Sequence, residues 1–92
     1  MALEFEWDAA KAERNRRKHG VTFDEAMTVF GDPHAATYAD PDHSTDEERE
    51  LTIGYSLAGR LVLVAYAQHG LAIRIISARI ATSHERRDFE RR

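Results

Sequence analysis

The sequence predicts an α+β fold in which helices pack on a small antiparallel sheet. Three observations indicate this class. Apolar residues recur at helical spacing in residues 22–31, three apolar segments with strand character follow between residues 50 and 78, and a helix-capping pattern begins at Thr82. With 92 residues, the chain is expected to form a single domain, residues 1–92, with a modest core.

The N-terminal part is expected to form a short strand and a first helix. The segment LEFEW at residues 3–7 alternates between apolar and polar side chains, as a strand does. Asp8 is suited to cap a helix that runs to about Lys18 or His19, and Gly20 is suited to end it. This helix is polar nearly all round, which leaves a face open to a ligand or partner.

A second helix is expected directly afterwards. Thr22 and Glu25 have the spacing of a capping box, in which each residue's side chain bonds the other's backbone. Gly31 is the expected end of the helix. The apolar stripe that predicts a core-facing side consists of Phe23, Ala26, Met27 and Phe30.

The C-terminal half is expected to be a strand meander followed by one helix. A weak strand at 35–39 and an acidic loop at 40–50 precede three stronger strands at 50–56, 60–67 and 71–78. Turns containing Gly59 and Gly70 are short enough to require antiparallel pairing. Thr82 and Glu85 form a second capping box, and a helix over about 83–91 follows, with Phe89 as its main apolar anchor.

Charge is distributed unevenly along the chain. The net charge is −3, but residues 60–92 hold seven arginines and only three acids, so an acidic protein can still present a basic face. The absence of cysteine excludes disulfides and thiolate zinc sites. The sequence has neither an apolar run of membrane-spanning length nor a signal-peptide pattern, which predicts a cytoplasmic protein with no membrane contact.

Motifs for nucleotide or metal chemistry are absent from the sequence. Asp40, Asp42, His43 and Asp46 could in principle bind a cation, but a solvated acidic loop is the favoured interpretation. No cofactor and no metal site are therefore expected.

Two arginines interrupt the last predicted strand. Strict alternation places Ile73, Ile75 and Ser77 on one face, and the other face then carries Arg74, Ile76 and Ala78. Arg79 falls at the strand end, before the capped helix. Arginines on an open sheet face suit a phosphate site, which Arg49 could join; the alternative is surface ion pairing with the acidic loop.

RNA cleavage would be compatible with such a site. The ribose 2′-OH attacks its own phosphate, so an enzyme needs only to orient it, transfer protons and stabilise the anionic transition state. Arginine suits the last task and histidine suits proton transfer. The candidate histidines are His43, His19 and His69.

Several segments together resemble the BrnT family of ribonuclease toxins. They are FEWDAAKAERNRRKHGVTFDEAMTVFGDP, DHSTDEERELTIGYS and IRIISARIAT, in this order, and the similarity extends from residue 4 to about residue 90. The resemblance implies a RelE-like fold and RNA cleavage. It also implies a cognate antitoxin of the BrnA type, which carries the DNA-binding segment, neutralises the toxin and represses the shared operon, so that DNA is contacted only through the antitoxin.

The resemblance also suggests site residues. Arg49, Arg74 and Arg79 are expected to contact the phosphate or the transition state, with His43 as a further catalytic residue. Trp7, Asp8 and Gly20, which also match, are expected to be structural. Lys18 and His19, which match the family segments, are expected to bind RNA. Arg60 and Arg86, which are not among the matching positions, are expected to bind RNA as well.

Two departures from the family pattern remove positive charge. Ile80 stands where many relatives have a basic residue, and Gln68-His69 stands where an arginine is usual. These departures leave two hypotheses open: a ribonuclease that acts without metal, and a weak or inactive member that serves as a binding module and co-repressor with its antitoxin. A direct DNA binder is less favoured because no helix presents base-reading residues on one face.

Overall fold

The computed structural model describes residues 3–40 and 49–92. Three α-helices and five strands form the predicted α+β domain. In chain order the elements are β1 (Glu4–Glu6), α1 (Ala9–His19), α2 (Phe23–Thr28) with a 3-10 turn (Val29–Gly31), β2 (Ala36–Ala39), β3 (Arg49–Tyr55), β4 (Leu61–His69), β5 (Ala72–Ile80) and α3 (Ser83–Glu90).

The five strands form one mixed sheet in the order β1-β5-β4-β3-β2. Strands β2 to β5 pair as an antiparallel meander, as the short turns predict. The N-terminal strand β1 is the exception, because it pairs in parallel with the first half of β5, from Ala72 to Arg74. The chain can make this parallel pair because the two helices and three strands between them carry it across the sheet.

Helix ends follow the predicted caps with one difference. The side chain of Asp8 accepts the Lys11 N–H at 3.0 Å, and Gly20 ends α1 with a φ of 70°. Thr22 caps α2 by accepting the Glu25 N–H. The Glu25 side chain, however, does not bond back to the cap as the predicted capping box requires, since its carboxylate binds the guanidinium of Arg60.

One face of the sheet forms the main core with α1 and α2. The apolar stripe of α2 lies there as predicted, and Trp7 meets the Phe23 ring edge-on with 5.9 Å between centroids. Buried strand residues complete this core, including Val62, Val64 and Ile75. Burial of these side chains supplies most of the driving force for folding.

Within residues 3–40 and 49–92, only part of the opposite face is covered. Helix α3 packs its Phe89 against a second cluster that contains Ile53, Leu61 and Leu63. The ring of Tyr55 meets Phe89 edge-on at 5.8 Å. None of the described residues covers the part of this face beyond α3, toward the start of β3. We call it the open face.

A β-bulge in β5 changes which residues reach the open face. Ala65 pairs with Ser77, but the next residue of β4, Tyr66, pairs with Ile75, so Ile76 has no partner on β4. An extra residue in one strand reverses the alternation beyond it. The expectation that Ser77 shares the face of Ile75 is therefore wrong. Ala78 instead joins Ile75 in the main core, and Ser77 lies on the open face.

Candidate active site

The open face holds a depression of about 490 Å³ with a polar rim and an apolar floor. Its floor includes Leu51 of β3 and Leu63 of β4. Its polar residues come from four parts of the chain and are His19, Asp40, Arg49, Ser77 and Arg79. The structure thus brings two of the three arginines expected to bind phosphate into one depression.

The arginines reach this face because of the sheet register. Arg49 and Arg74 both pair with Ala67, so they lie in one row across three strands, about 10 Å apart at the backbone. Arg79 pairs with Leu63, four residues earlier on β4, and the bulge turns it to the same face as Arg74. Arg74 is exposed and does not line the depression.

The guanidinium of Arg79 is fixed by Glu85. Its two terminal nitrogens donate to the two carboxylate oxygens at 2.8 and 2.9 Å. The same carboxylate accepts the Thr82 N–H at 2.8 Å, which completes the capping box of α3. The hydrogen bond from Arg79 is the main reason that the pKa of Glu85 falls to about 2, against burial, which raises it. The pair therefore remains ionised at all physiological pH values.

This arrangement leaves part of Arg79 available to a ligand. A guanidinium has five N–H groups, and the Glu85 carboxylate occupies the edge formed by the two terminal nitrogens. The second edge, formed by Nε and one terminal nitrogen, has the same fork geometry and can donate two hydrogen bonds to a phosphate. The Arg79 side chain is 38% exposed and lines the depression.

His19 is brought to the depression by a buried amide. The Asn15 side chain of α1 donates to the Ala78 carbonyl at 2.8 Å and accepts the Ala78 N–H at 3.1 Å. These two bonds pair the backbone N–H and carbonyl of Ala78, which lie on the edge of β5 beyond the end of β1. A second donated bond, to the Val21 carbonyl at 3.0 Å, fixes the turn after the helix. His19, one helical turn after Asn15, then lines the depression.

One protein-family model matches most of the chain. The family model described as "Ribonuclease toxin, BrnT, of type II toxin-antitoxin system" matches residues 7–85. The chain belongs to the BrnT family. BrnT proteins are ribonuclease toxins of type II toxin–antitoxin systems, so the predicted family is confirmed.

A solved structure supports the fold. The crystal structure of the ribonuclease toxin BrnT from Brucella abortus is 22% identical to this chain and superposes with a TM-score of 0.65. The match covers 89% of this chain and 100% of the other. No curated protein sequence matches the chain significantly.

Four of the other predicted site residues lie apart from the depression or outside the described residues. Lys18 is exposed on the last turn of α1. Arg60 lies on the opposite side of the sheet, where it binds Glu25 and the Gly20 carbonyl. Arg86 of α3 lies beside the Tyr55 hydroxyl, at 3.5 Å. His43 falls outside the described residues.

The two departures from the BrnT family pattern occupy different surroundings. His69 is exposed at the end of β4, where its Nδ1 lies 2.5 Å from the Glu6 carboxylate. Ile80 is 37% exposed and pairs with Val62, so it lies on the sheet face opposite to Arg79. Strand β5 continues through Ile80 without a bend. A basic residue here would point away from the depression.

Sequence reasoning missed three residues of the site. Ser77 was assigned to the wrong face because a bulge has no clear sequence signal. Asp40 was expected to belong to a solvated acidic loop, with cation binding as the alternative, but it is only 7% exposed and lines the depression. Asn15 matched the family segments, but its partner Ala78 lies 63 positions away along the chain.

The described residues were compared with the requirements of a metal site and of a membrane-spanning helix. Within residues 3–40 and 49–92, no group of three or more His, Asp or Glu side chains is arranged to hold a metal ion. None of the helices in these ranges combines the length and apolar character needed to span a membrane.

Proposed function

We propose that this chain is an endoribonuclease toxin that cleaves RNA at the depression without a metal ion. The observation that carries the proposal is the convergence of Arg49 and Arg79, from different strands, on one depression with His19 and Ser77 at its rim. Family membership supports the ribonuclease activity in general terms. We infer the role of each residue from the chemistry of its side chain.

In the proposed reaction, the scissile phosphate lies between the two arginines. The ribose 2′-oxygen forms a bond to phosphorus and the bond to the 5′-oxygen breaks, which yields a 2′,3′-cyclic phosphate and a 5′-hydroxyl. Arg49 and the free edge of Arg79 stabilise the extra negative charge of the transition state. Losing one such contact typically reduces the rate about 100-fold or more.

Proton transfer is assigned to histidine. Imidazole donates and accepts protons near neutral pH, and His19 lines the depression. His43 remains a predicted catalytic residue. Arg74, exposed on the same face, is proposed to bind a neighbouring phosphate. Each phosphate that a cation neutralises adds to the salt dependence of RNA binding. Lys18 remains a predicted RNA contact.

The antitoxin is proposed to be a BrnA-type protein that supplies the DNA-binding segment. A type II system implies an antitoxin partner. The chain itself has a net charge of −3, which disfavours direct DNA binding. We expect the toxin to act on RNA in the cytoplasm and to reach DNA only within the complex.

A second function is favoured by one observation. Both terminal nitrogens of Arg79 are already bound by Glu85, and Arg60 is bound by Glu25, so two predicted RNA contacts have partners within the chain. A member whose arginines serve structure could act only as a binding module and co-repressor.

Cleavage of a labelled RNA by the purified chain in EDTA separates the two functions. We expect cleavage that requires the 2′-OH, is unaffected by the chelator, and falls at least about 100-fold in Arg79→Ala. The matched control is Arg16→Ala, which removes an arginine from an exposed ion pair with Glu13. Intact RNA with the wild-type chain, or cleavage that requires added Mg²⁺, would overturn the proposed reaction.

A further inference from the structure

A second cavity adjoins the depression at the edge of the sheet. This cleft has a volume of about 270 Å³ and lies between the edge strand β2 and helix α3. Its apolar wall consists of Ala36, Ile53 and the rings of Tyr38 and Phe89. The polar residues at its rim are Glu85, Asp88 and Arg92.

The cleft and the depression are joined through two contacts. Arg79 lines the depression and Glu85 lines the cleft, and their side chains are held together at 2.8 and 2.9 Å. Tyr38 lines the cleft and pairs across strands with Leu51, which forms the floor of the depression. A nucleotide whose phosphate is bound at Arg79 therefore has the cleft within reach of its base.

The cleft carries aromatic side chains that are suited to stacking on a flat ring. Tyr38 is 45% exposed although it is a large side chain on a strand, so its ring offers a surface on which a base can stack. The Phe89 ring is already covered by Tyr55 at 5.8 Å and by the Arg92 guanidinium at 4.5 Å. Tyr38 is thus the stacking surface, and Phe89 forms the opposite wall.

The carboxylates at the rim are suited to a base edge that donates hydrogen bonds. In the described part of the chain, one Glu85 oxygen accepts only the Arg79 N–H, and the Asp88 carboxylate contacts only His84, at 3.3 Å. Carboxylates accept hydrogen bonds and cannot donate them. Guanine presents two adjacent N–H donors on its Watson–Crick edge, whereas uracil presents one N–H between two carbonyl oxygens that a carboxylate would repel.

From this geometry we infer that the cleft binds the base of a nucleotide next to the scissile phosphate and prefers guanine to uracil. Tyr38 stacks on the base and Asp88 accepts its N–H groups. This inference rests on the proposed function in placing the phosphate at Arg79. It adds a specificity site that the phosphate contacts do not provide, since phosphates are the same at every position.

Mononucleotide binding tests the inference independently of cleavage. Guanosine 3′-monophosphate and uridine 3′-monophosphate are titrated into the purified chain, and amide chemical shifts report the dissociation constants. We expect guanosine 3′-monophosphate to bind at least about fivefold more tightly than uridine 3′-monophosphate. A good hydrogen-bonded contact to a base edge gives discrimination of this size. Tyr38→Leu should weaken binding of both nucleotides about tenfold by removing the stacking surface.

Asp88→Asn should abolish the guanine preference. The matched control is Asp24→Asn, which removes the same charge from an exposed site on α2 and should leave the preference unchanged. Both Tyr38 and Asp88 are exposed, and melting temperatures check that the variants fold. Equal affinities for the two nucleotides, no detectable binding of either, or a preference that persists in Asp88→Asn overturns the inference.

RNA cleavage measured on the same samples distinguishes failure of the cleft from failure of the proposed function. Cleavage by the wild type with no guanine preference in binding overturns the cleft and leaves the ribonuclease proposal intact. Guanosine-selective binding without any cleavage supports the cleft and overturns the ribonuclease proposal.

Discussion

Replacing Glu85 with glutamine tests the interaction that fixes Arg79. Glutamine keeps the length of the side chain and an oxygen that can accept the Thr82 N–H, so the helix cap is preserved. It removes the charge that holds the guanidinium. Because the cap is retained, the change in the free energy of unfolding reports the ion pair with Arg79.

The size of the effect follows from the pKa of Glu85. A fall from 4.5 to about 2 corresponds to about 3 kcal/mol of stability at neutral pH. The side chains of Arg79 and Glu85 are 38% and 25% exposed, so solvent screening reduces this value. We expect Glu85→Gln to lower the free energy of unfolding by about 1–2 kcal/mol at pH 7, and the melting temperature by about 5–10 °C.

The pH dependence gives the effect a specific signature. A carboxylate with a lowered pKa stabilises the folded state above its unfolded value and loses this contribution as pH falls through its folded value. The advantage of the wild type over Glu85→Gln should be complete above about pH 5 and should fall by more than half by pH 3.

Urea denaturation of both proteins between pH 7 and pH 3 measures this difference directly. Glu13→Gln is the control, because it breaks a similarly short ion pair with Arg16 on an exposed helix face and should change stability little. Equal stabilities of wild type and Glu85→Gln at pH 7 would refute the reasoning. A difference that stays constant down to pH 3 would refute it as well.

Three further substitutions probe the framework around the site. Asn15→Ala removes three buried hydrogen bonds, and denaturation should show a loss of about 2–4 kcal/mol; a loss below 1 kcal/mol would contradict the role given to the amide. Gly54→Ala should lower the free energy of unfolding by about 1–3 kcal/mol, because the added Cβ would lie 2.9 Å from the Cβ of Ala35. The control Gly31→Ala meets nothing within 4 Å and should be nearly neutral. Equal melting temperatures of the two variants would contradict this contrast. Ile80→Lys should leave stability and the rate of RNA cleavage nearly unchanged, since the side chain is exposed on the face opposite to the depression, and a large gain in cleavage would show that it reaches the RNA.

Local signals in the sequence predicted most of the fold. Asp8, Gly20, Thr22 and Thr82 act at helix ends as their residue types indicate, because capping depends on neighbours within four positions. The strands follow the apolar segments and the glycine turns for the same reason. The parallel pairing of β1 depends on contacts about 68 positions apart, such as Phe5 with Ile73, and no local pattern indicates it.

The site was less predictable because it depends on the register of β5. Counting in twos from Ile73 assigns Ser77 to the core, and only the pairing with β4 reveals the unpaired Ile76 that reverses the faces. The ion-pair partners of the charged side chains could not be predicted from the sequence either. The pattern of the capping box indicates that Glu85 bonds Thr82, but not that it also binds Arg79, and Glu25 forms its bonds with Arg60 instead of its own cap.

The central claim is that Arg49 and Arg79 act on one phosphate in the depression. A double-mutant cycle on the rate of RNA cleavage, with Arg49→Ala, Arg79→Ala and the combined variant, tests it most directly. Residues that act as a unit give non-additive losses. We predict that each single variant loses at least about 100-fold and that the combined variant loses far less than the product of the two. Fully multiplicative losses, or single variants that cleave at the wild-type rate, would contradict the claim.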